Sequence, residues 1–223
     1  MPDLGPLWVS LQLAFVTTLV LLLLGTPLAW WLACTRSRVK PLVEAVTALP
    51  LVLPPTVMGF YLLVFMAPNS WLGGLWIEVT GDTLTFSFTG LVVASLFYSL
   101  PFMVQPLQSA FESLGRAPLE AAASLRAGPF DAFWTVAVPQ SIRGYLTASV
   151  LTFAHTIGEF GVVLMVGGNI PGKTRVIAID IYEQVETLNY GKAHLLSAGL
   201  LLFSFAVLVF VYMVNRRAGF RTG

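Results

Sequence analysis

The chain has 223 residues, of which 57% are hydrophobic and 10% are charged, and its formal net charge at pH 7 is +1. A soluble domain typically carries about 25% charged residues, so this composition predicts an integral membrane protein. No basic patch indicates nucleic acid as a partner, and a single cysteine, Cys34, excludes an internal disulfide. The sequence has no metal-ligand cluster, no GxxxxGK[ST] phosphate loop and no Ser/His/Asp arrangement, so we expect neither an enzyme nor a bound metal or cofactor.

Five apolar segments are long enough to cross a bilayer, which takes ~20 helical residues each. They predict an all-α integral membrane protein, organised as one transmembrane domain over residues 1–223. The expected spans are Leu7–Ala33, Val46–Ala67, Phe86–Leu107, Ile142–Val166 and Ala193–Val214.

The basic residues orient these spans. Nine of the 12 fall on one side, which the positive-inside rule makes cytoplasmic. We therefore expect the N-terminus outside, the C-terminus inside and the loop at about 112–139 in the cytoplasm. The nine are Arg36, Arg38, Lys40, Arg116, Arg126, Arg143, Arg216, Arg217 and Arg221; Lys173, Arg175 and Lys192 lie on the other side.

Prolines interrupt the second span. Pro50, Pro54 and Pro55 each remove a helical hydrogen bond. Such breaks persist in a membrane only where protein or a water-lined cavity satisfies the freed carbonyls. The residues alone leave two interpretations open, a packing kink and a pore-lining kinked helix.

The loop at 112–139, called the Glu120 loop below, is the longest run unsuited to lipid. Pro118 fits the first turn of a helix, Leu119–Ala127 are good helix formers apart from Ser124, and Gly128-Pro129 should stop the helix after about ten residues. An ordinary helical cytoplasmic loop is the competing interpretation. Beyond it, a helical stripe is expected to pack against the underside of the membrane domain; it comprises Phe130, Phe133, Trp134 and Ala137.

The fourth span contains a carboxylate, Glu159, which we expect between the midplane and the outer interface. A charge there is costly and needs a partner. His155, four residues earlier, is the predicted partner, and Gly158 and Gly161 loosen the helix on either side.

The external segment that follows contains Asn169, Pro171 and Gly172 together with two cations, Lys173 and Arg175. These cations would either attract an anion or pair with Asp180, Glu183 and Glu186. We favour the ion pairs.

Glu120-Ala121-Ala122, followed after a fixed interval by an aromatic-rich segment ending in Pro139, resembles the EAA loop of ABC importer permeases. The resemblance implies that this loop forms coupling helices that dock into an ATP-hydrolysing subunit. The family has glycine at the seventh position counted from its Glu. Here that position is Arg126, and the nearest glycine is Gly128.

Three further stretches resemble the molybdate branch of the oxyanion ABC permeases: LPLVLPP at 49–55 with Gly59, GEFG at 158–161, and GNIPGKTR at 168–175. Sulfate permeases carry a related GEFG, so that motif does not discriminate. The resemblance of the second span favours a pathway role for Pro54 and Pro55. We assign His155 and the segment from Gly158 through Phe160 to Gly161 to the same pathway or gate. Since a carboxylate would repel an oxyanion, we interpret Glu159 as a brace for the broken helix or a gate.

The resemblance further implies a bacterial inner-membrane assembly. Two copies of the chain line one pathway, two ATPase subunits hold ATP and Mg, an external binding protein delivers the oxyanion, and membrane lipid surrounds the spans. Tungstate, sulfate and thiosulfate remain alternative substrates. A non-transporting anchor subunit would not need the Glu120 loop, and a proton-coupled carrier should show more acids or histidines within the spans.

Overall fold

The structure is a computed structural model that describes residues 4–219, with side chains described as far as Met213. The described residues form helices and no strands, which confirms the all-α prediction. The helices are α1 (Gly5–Cys34), α2 (Lys40–Ala48) continued by a 3₁₀ turn (Leu49–Leu51), α3 (Pro55–Met66), α4 (Trp71–Thr80), α5 (Phe88–Leu114), α6 (Ala117–Ser124), α7 (Pro129–Ala132), a π-helix (Phe133–Ala137), α8 (Val138–Gln140), α9 (Ile142–Gly158), α10 (Gly161–Gly167), α11 (Ile177–Glu186) and α12 (Tyr190–Gly219).

Three helices, α1, α5 and α12, are by themselves long and apolar enough to cross a membrane. They correspond to the first, third and fifth predicted spans. Helix α5 continues to Leu114, beyond the predicted end at Leu107, although it contains Pro101 and Pro106. Prolines are tolerated in a membrane helix where neighbouring groups satisfy the freed carbonyls.

The other two predicted spans are bent pairs of helices. Lys40–Leu51 and Pro55–Met66 meet at 109°, and Ile142–Gly158 and Gly161–Gly167 meet at 61°. The interruption predicted within Val46–Ala67 is therefore present, because Pro54 is in an extended conformation (φ −56°, ψ 135°) and a new helix starts at Pro55. With each bent pair counted as one span, five spans are available by length and composition.

Helices α1 and α5 run in parallel through the core, and α9 runs against them. Leu13 packs in one cluster with Leu91, near the starts of α1 and α5. Leu32 packs in another with Phe111 and Ala148, at the ends of α1 and α5 and the start of α9. One end of the bundle therefore holds the last turns of α1 and α5, the first turn of α9 and the Glu120 loop.

That same end collects the described basic residues of the predicted cytoplasmic side. Each lies at or near a helix terminus there: Arg36, Arg38, Lys40, Arg116, Arg126 and Arg143. Arg221 lies outside the described residues, as do the side chains of Arg216 and Arg217.

Helix α12 is peripheral. Its Leu200 and Phe203 pack against a small cluster that includes Ala14 and Ile157, but most of its apolar side chains face outwards. Only 6% of its most apolar stretch is buried, against 39% for α1 and 50% for α5. The core of the chain is thus built by α1, α5 and α9.

Candidate functional site

The Glu120 loop presents a short helix with a narrow, exposed surface. Glu120 is in the first turn of α6, where a carboxylate complements the positive end of the helix dipole. Ala122 is buried, whereas Ala121 and Ala123 are exposed. A helix surface of alanine leaves room for close approach by another protein's backbone.

Helix α6 ends at Ser124, earlier than the predicted end at Ala127. Arg126 takes a left-handed conformation (φ 66°). Its N–H donates to the Ala123 carbonyl (2.9 Å), and the Ala127 N–H donates to the Ala122 carbonyl (3.0 Å). This hydrogen-bond pair is the Schellman cap, whose left-handed position is usually glycine. The turn therefore occurs at the position where the family has glycine, and an arginine adopts it.

Gly128 and Pro129 start the next helix instead of stopping α6. Gly128 is extended (φ −70°, ψ 165°) and Pro129 occupies the first turn of α7. The following π-helix is closed by the Val138 N–H, which donates to the Phe133 carbonyl. Pro139 has no N–H with which to continue an α-helical register across this turn.

The aromatic stripe of the loop divides into two halves. Phe133 packs edge-on against Trp30, with ring centroids 5.1 Å apart, and Ala137 is fully buried. Phe130 and Trp134 instead remain 77% and 54% exposed. The prediction that the stripe packs under the membrane domain is therefore right for one half and wrong for the other.

A polar cluster joins α2 to the last turns of α5, just before the Glu120 loop. Lys40 Nζ lies 3.2 Å from Glu112 Oε1 and 3.6 Å from Glu44 Oε1. Gln108 Nε2 donates to Glu44 Oε1 (2.7 Å) and to Glu112 Oε1 (3.0 Å). Sequence reasoning missed this cluster. The i, i+4 spacings within each helix were visible, but nothing in the sequence pairs one helix with the other.

The two helix breaks contact one another. A Cβ added at Gly161 would lie 2.6 Å from Pro55 Cβ, and one added at Gly59 would lie 2.8 Å from Met165 Cβ. Glycine at both positions therefore lets α3 and α10 approach at backbone distance. Pro55, the first residue of α3, thus contacts Gly161, the first residue of α10, and the two interrupted spans come together at this contact.

Glu159 is 6% exposed and braces the second break. Its Oε1 accepts a hydrogen bond from the Val162 N–H (2.8 Å), so the carboxylate caps the start of α10. The carboxylate thus fixes the first turn of the helix that follows the break.

His155 is not the partner of Glu159, contrary to expectation. Its Nδ1 lies 3.1 Å from Ser99 Oγ, and its ring stacks on Phe102 with centroids 3.8 Å apart. The i, i+4 argument fails because α9 ends at Gly158 and Glu159 is extended (φ −69°, ψ 131°), which turns its side chain away from the helical face. Phe160 points to α11, where its ring contacts that of Tyr182 with centroids 5.1 Å apart.

The segment between α10 and α11 is held by a three-residue network that includes Glu183 of α11. Arg175 Nη1 lies 3.0 Å from Glu183 Oε2, and Arg175 Nε donates to Asn169 Oδ1 (2.6 Å). Asn169 Nδ2 donates in turn to Glu183 Oε2 (3.0 Å). The predicted ion pair is therefore present for Arg175. Lys173 is exposed and forms no ion pair with the described residues. The neighbouring residues Pro171 and Gly172 are also exposed.

Among the residues that the structure describes, no group of three or more His, Cys, Asp or Glu side chains could hold a metal ion. The features that remain as a candidate site are the exposed α6 surface, the paired helix breaks and the Asn169–Arg175–Glu183 network.

Comparison with known proteins gives consistent matches. Residues 25–219 match the family described as binding-protein-dependent transport system inner membrane component. The chain is 58% identical over 214 residues to the molybdenum transport system permease protein ModB of Azotobacter vinelandii, covering 96% of this chain and 95% of that protein. It is 35% identical over 190 residues to a probable sulfate transport system permease protein, cysT, of Zygnema circumcarinatum, covering 84% of this chain and 65% of that protein. A solved structure of the MetNI methionine ABC transporter in inward-facing conformations has a TM-score of 0.68 at 18% identity and covers 94% of each chain.

Proposed function

This chain belongs to the family of binding-protein-dependent transport system inner membrane components, and we propose that it is the membrane-spanning permease subunit of an ATP-driven molybdate importer. The assignment of molybdate as the substrate rests on the 58% identity to a molybdenum transport permease over nearly the whole of both chains. The motifs at 49–55, 158–161 and 168–175 support the same branch. The chain itself is a transport subunit, and ATP with Mg is held by a partner.

The Glu120 loop is the proposed contact with the ATPase subunit. Glu120, Ala121 and Ala122 form the body of the docking helix, and the Arg126 turn sets its end. Leu125, 85% exposed, projects from that end as an apolar contact for a groove on the partner. Gly128 and Pro139 delimit the segment that returns the chain to the membrane. Because α5 leads directly into this helix, a displacement of the loop is passed to the core of the bundle.

The paired helix breaks are the proposed gate. Pro54 and Pro55 start one half-helix, and Gly158 and Gly161 flank the other break, so the two can move together while most backbone hydrogen bonds persist. Glu159 acts as a brace that fixes the start of α10. His155 supports the same region through Ser99. An anion pathway favours backbone N–H groups and hydroxyls over carboxylates. The Glu159 carboxylate fits such a pathway as a structural group, because it already accepts a hydrogen bond from the Val162 N–H.

The proposed orientation has the N-terminus outside and the C-terminus in the cytoplasm of a bacterial inner membrane. It is supported by the six basic residues that gather at the Glu120 loop end. The Asn169–Arg175–Glu183 network then lies outside, near Pro171, Gly172 and Lys173. This surface would meet the external oxyanion-binding protein. A second copy of the chain completes the pathway, and two ATPase subunits grip the two Glu120 loops.

Sulfate is the second candidate substrate, because the chain is also 35% identical to a probable sulfate permease. Both are tetrahedral divalent oxyanions, so one pathway could serve either.

The test is uptake of labelled molybdate into vesicles that hold this chain, its ATPase and its binding protein, with and without ATP and with excess sulfate. ATP-dependent uptake that survives sulfate supports the proposal. Uptake abolished by sulfate keeps the mechanism and changes the substrate. Uptake indifferent to ATP contradicts the mechanism.

A further inference from the structure

An apolar groove of about 750 Å³ lies between the second half of α1 and the Glu120 loop. Its walls include Leu23, Pro27 and Trp30 of α1, Phe130 and Trp134 of the loop, and Tyr145 of α9. We call it the α1 groove. No charged side chain lines it.

Few polar groups line the α1 groove. They are the hydroxyls of Thr26 and Tyr145 and the indole N–H groups of Trp30 and Trp134. A buried water needs two to four polar partners, and the remaining walls are apolar side chains that offer none. The groove therefore suits an apolar occupant.

Large side chains at its rim lack a cover in the single chain. Leu23 is 75% exposed, and Phe130 and Trp134 are 77% and 54% exposed, with their two rings in edge-to-face contact. An exposed apolar patch of this kind marks a surface that another apolar body occupies.

The groove continues into the outer face of α1. Phe15, Leu19 and Leu23 recur every four residues, all exposed, and so form one stripe along the helix. In a membrane-spanning α1 this stripe faces lipid tails. A hydrocarbon chain that follows the stripe towards the Glu120 loop stays in contact with apolar side chains until it reaches the groove.

The charge beside the groove selects the headgroup. Arg36 and Arg38 follow the end of α1 at Cys34, six and eight residues after Trp30. Both are exposed, and neither forms an ion pair with another described residue. A second copy of this chain would bring the same cations, whereas an anionic phospholipid brings the complementary charge at the depth where its phosphate lies.

We propose that the α1 groove binds one acyl chain of an anionic phospholipid from the leaflet beside the Glu120 loop, with the phosphate at Arg36 and Arg38. The lipid fills the space between the first span and the loop and fixes the loop against α1. One bound lipid is then a specific structural component beside the Glu120 loop, distinct from the bulk lipid that surrounds the spans.

The test uses the full transporter complex in vesicles that contain phosphatidylglycerol carrying a photoactivatable diazirine in its acyl chain. After illumination, adducts are mapped by peptide mass spectrometry. We expect residues 129–138 and the second half of α1 to be labelled several-fold more than the outward face of α12, at Leu201, Leu202 and Phe205. Excess unlabelled phosphatidylglycerol should abolish the enrichment, and excess phosphatidylcholine should leave it.

Variants make the test specific. Phe130→Glu should remove the enrichment, while Phe130→Leu, which keeps the wall apolar, should retain it. Arg36→Gln with Arg38→Gln should erase the preference for phosphatidylglycerol over phosphatidylcholine. Equal labelling of the groove and of α12 overturns the proposal. So does efficient cross-linking of two chains through Trp134→Cys in a Cys34→Ser background, because a second copy would then fill the groove.

Discussion

Gly161 and Pro55, which begin the half-helices of two different interrupted spans, pack directly on each other. A Cβ at residue 161 would lie 2.6 Å from Pro55 Cβ, closer than two non-bonded carbon atoms can approach. The breaks in the second and fourth spans are therefore one structural unit, and the chain has no room there for any side chain larger than hydrogen.

The first prediction tests this contact. Gly161→Ala should separate α3 from α10 and destabilise the fold by about 1–3 kcal/mol, the usual cost of overpacking. Gly158→Ala is the matched control, since a Cβ at Gly158 meets nothing within 4 Å. Thermal unfolding of both variants in detergent, together with vesicle uptake, measures the difference. Equal behaviour of the two alanine variants would show that the breaks do not depend on close approach.

The second prediction concerns the brace. Glu159→Gln keeps an oxygen acceptor for the Val162 N–H, whereas Glu159→Ala leaves that buried donor unsatisfied, at a cost of about 1–3 kcal/mol. We expect the Gln variant to keep the wild-type melting temperature and uptake, and the Ala variant to lower both. Transport lost in Glu159→Gln without loss of stability would instead assign a role to the negative charge itself.

The third prediction concerns the left-handed Arg126. A residue with a side chain in this conformation costs about 1–2 kcal/mol relative to glycine, so Arg126→Gly should raise the melting temperature. The neighbouring Leu125→Gly should not, because Leu125 has an ordinary negative φ (−86°). A stabilising effect of both substitutions, or of neither, would argue against strain at the cap.

The fourth prediction tests the docking role of the Glu120 loop. Glu120→Arg reverses a charge in the first turn of α6 and should uncouple ATP hydrolysis from uptake while membrane insertion stays intact. Glu78→Arg, on the exposed helix α4, is the control of equal charge change. The readout is ATPase activity stimulated by the loaded binding protein. Normal coupled transport in Glu120→Arg would exclude the proposed contact.

The fifth prediction uses the cluster between α2 and α5. Lys40→Glu places three carboxylates together and should weaken the attachment of α2, seen as faster hydrogen exchange of its amides. Adding Glu112→Lys to the same chain should restore the attraction, because the cation is then on α5 and the carboxylates are on α2. If the double variant is no better than Lys40→Glu alone, the cluster does not hold α2 through charge.

The sequence predicts local features of this protein well and contacts between distant segments poorly. Long apolar runs locate α1, α5 and α12, and Pro54, Pro55 and Gly161 mark where two spans break. That these breaks meet depends on residues about a hundred positions apart, which no local pattern relates.

Two errors have a local physical cause. The helix in the Glu120 loop stops at an arginine that carries no turn signal, while Gly128-Pro129, a strong signal, starts a helix instead. The pairing of His155 with Glu159 assumed a continuous helix through the residue at which that helix ends.

Helix α12 has a consequence for how the protein meets its bilayer. Its described apolar length, Tyr190–Met213, spans about 36 Å if helical throughout, against a hydrocarbon thickness of about 30 Å. Because α12 touches the core through few side chains, it can match membranes of different thickness by tilting. The α1–α5–α9 core would then keep one geometry while the peripheral helix absorbs the mismatch.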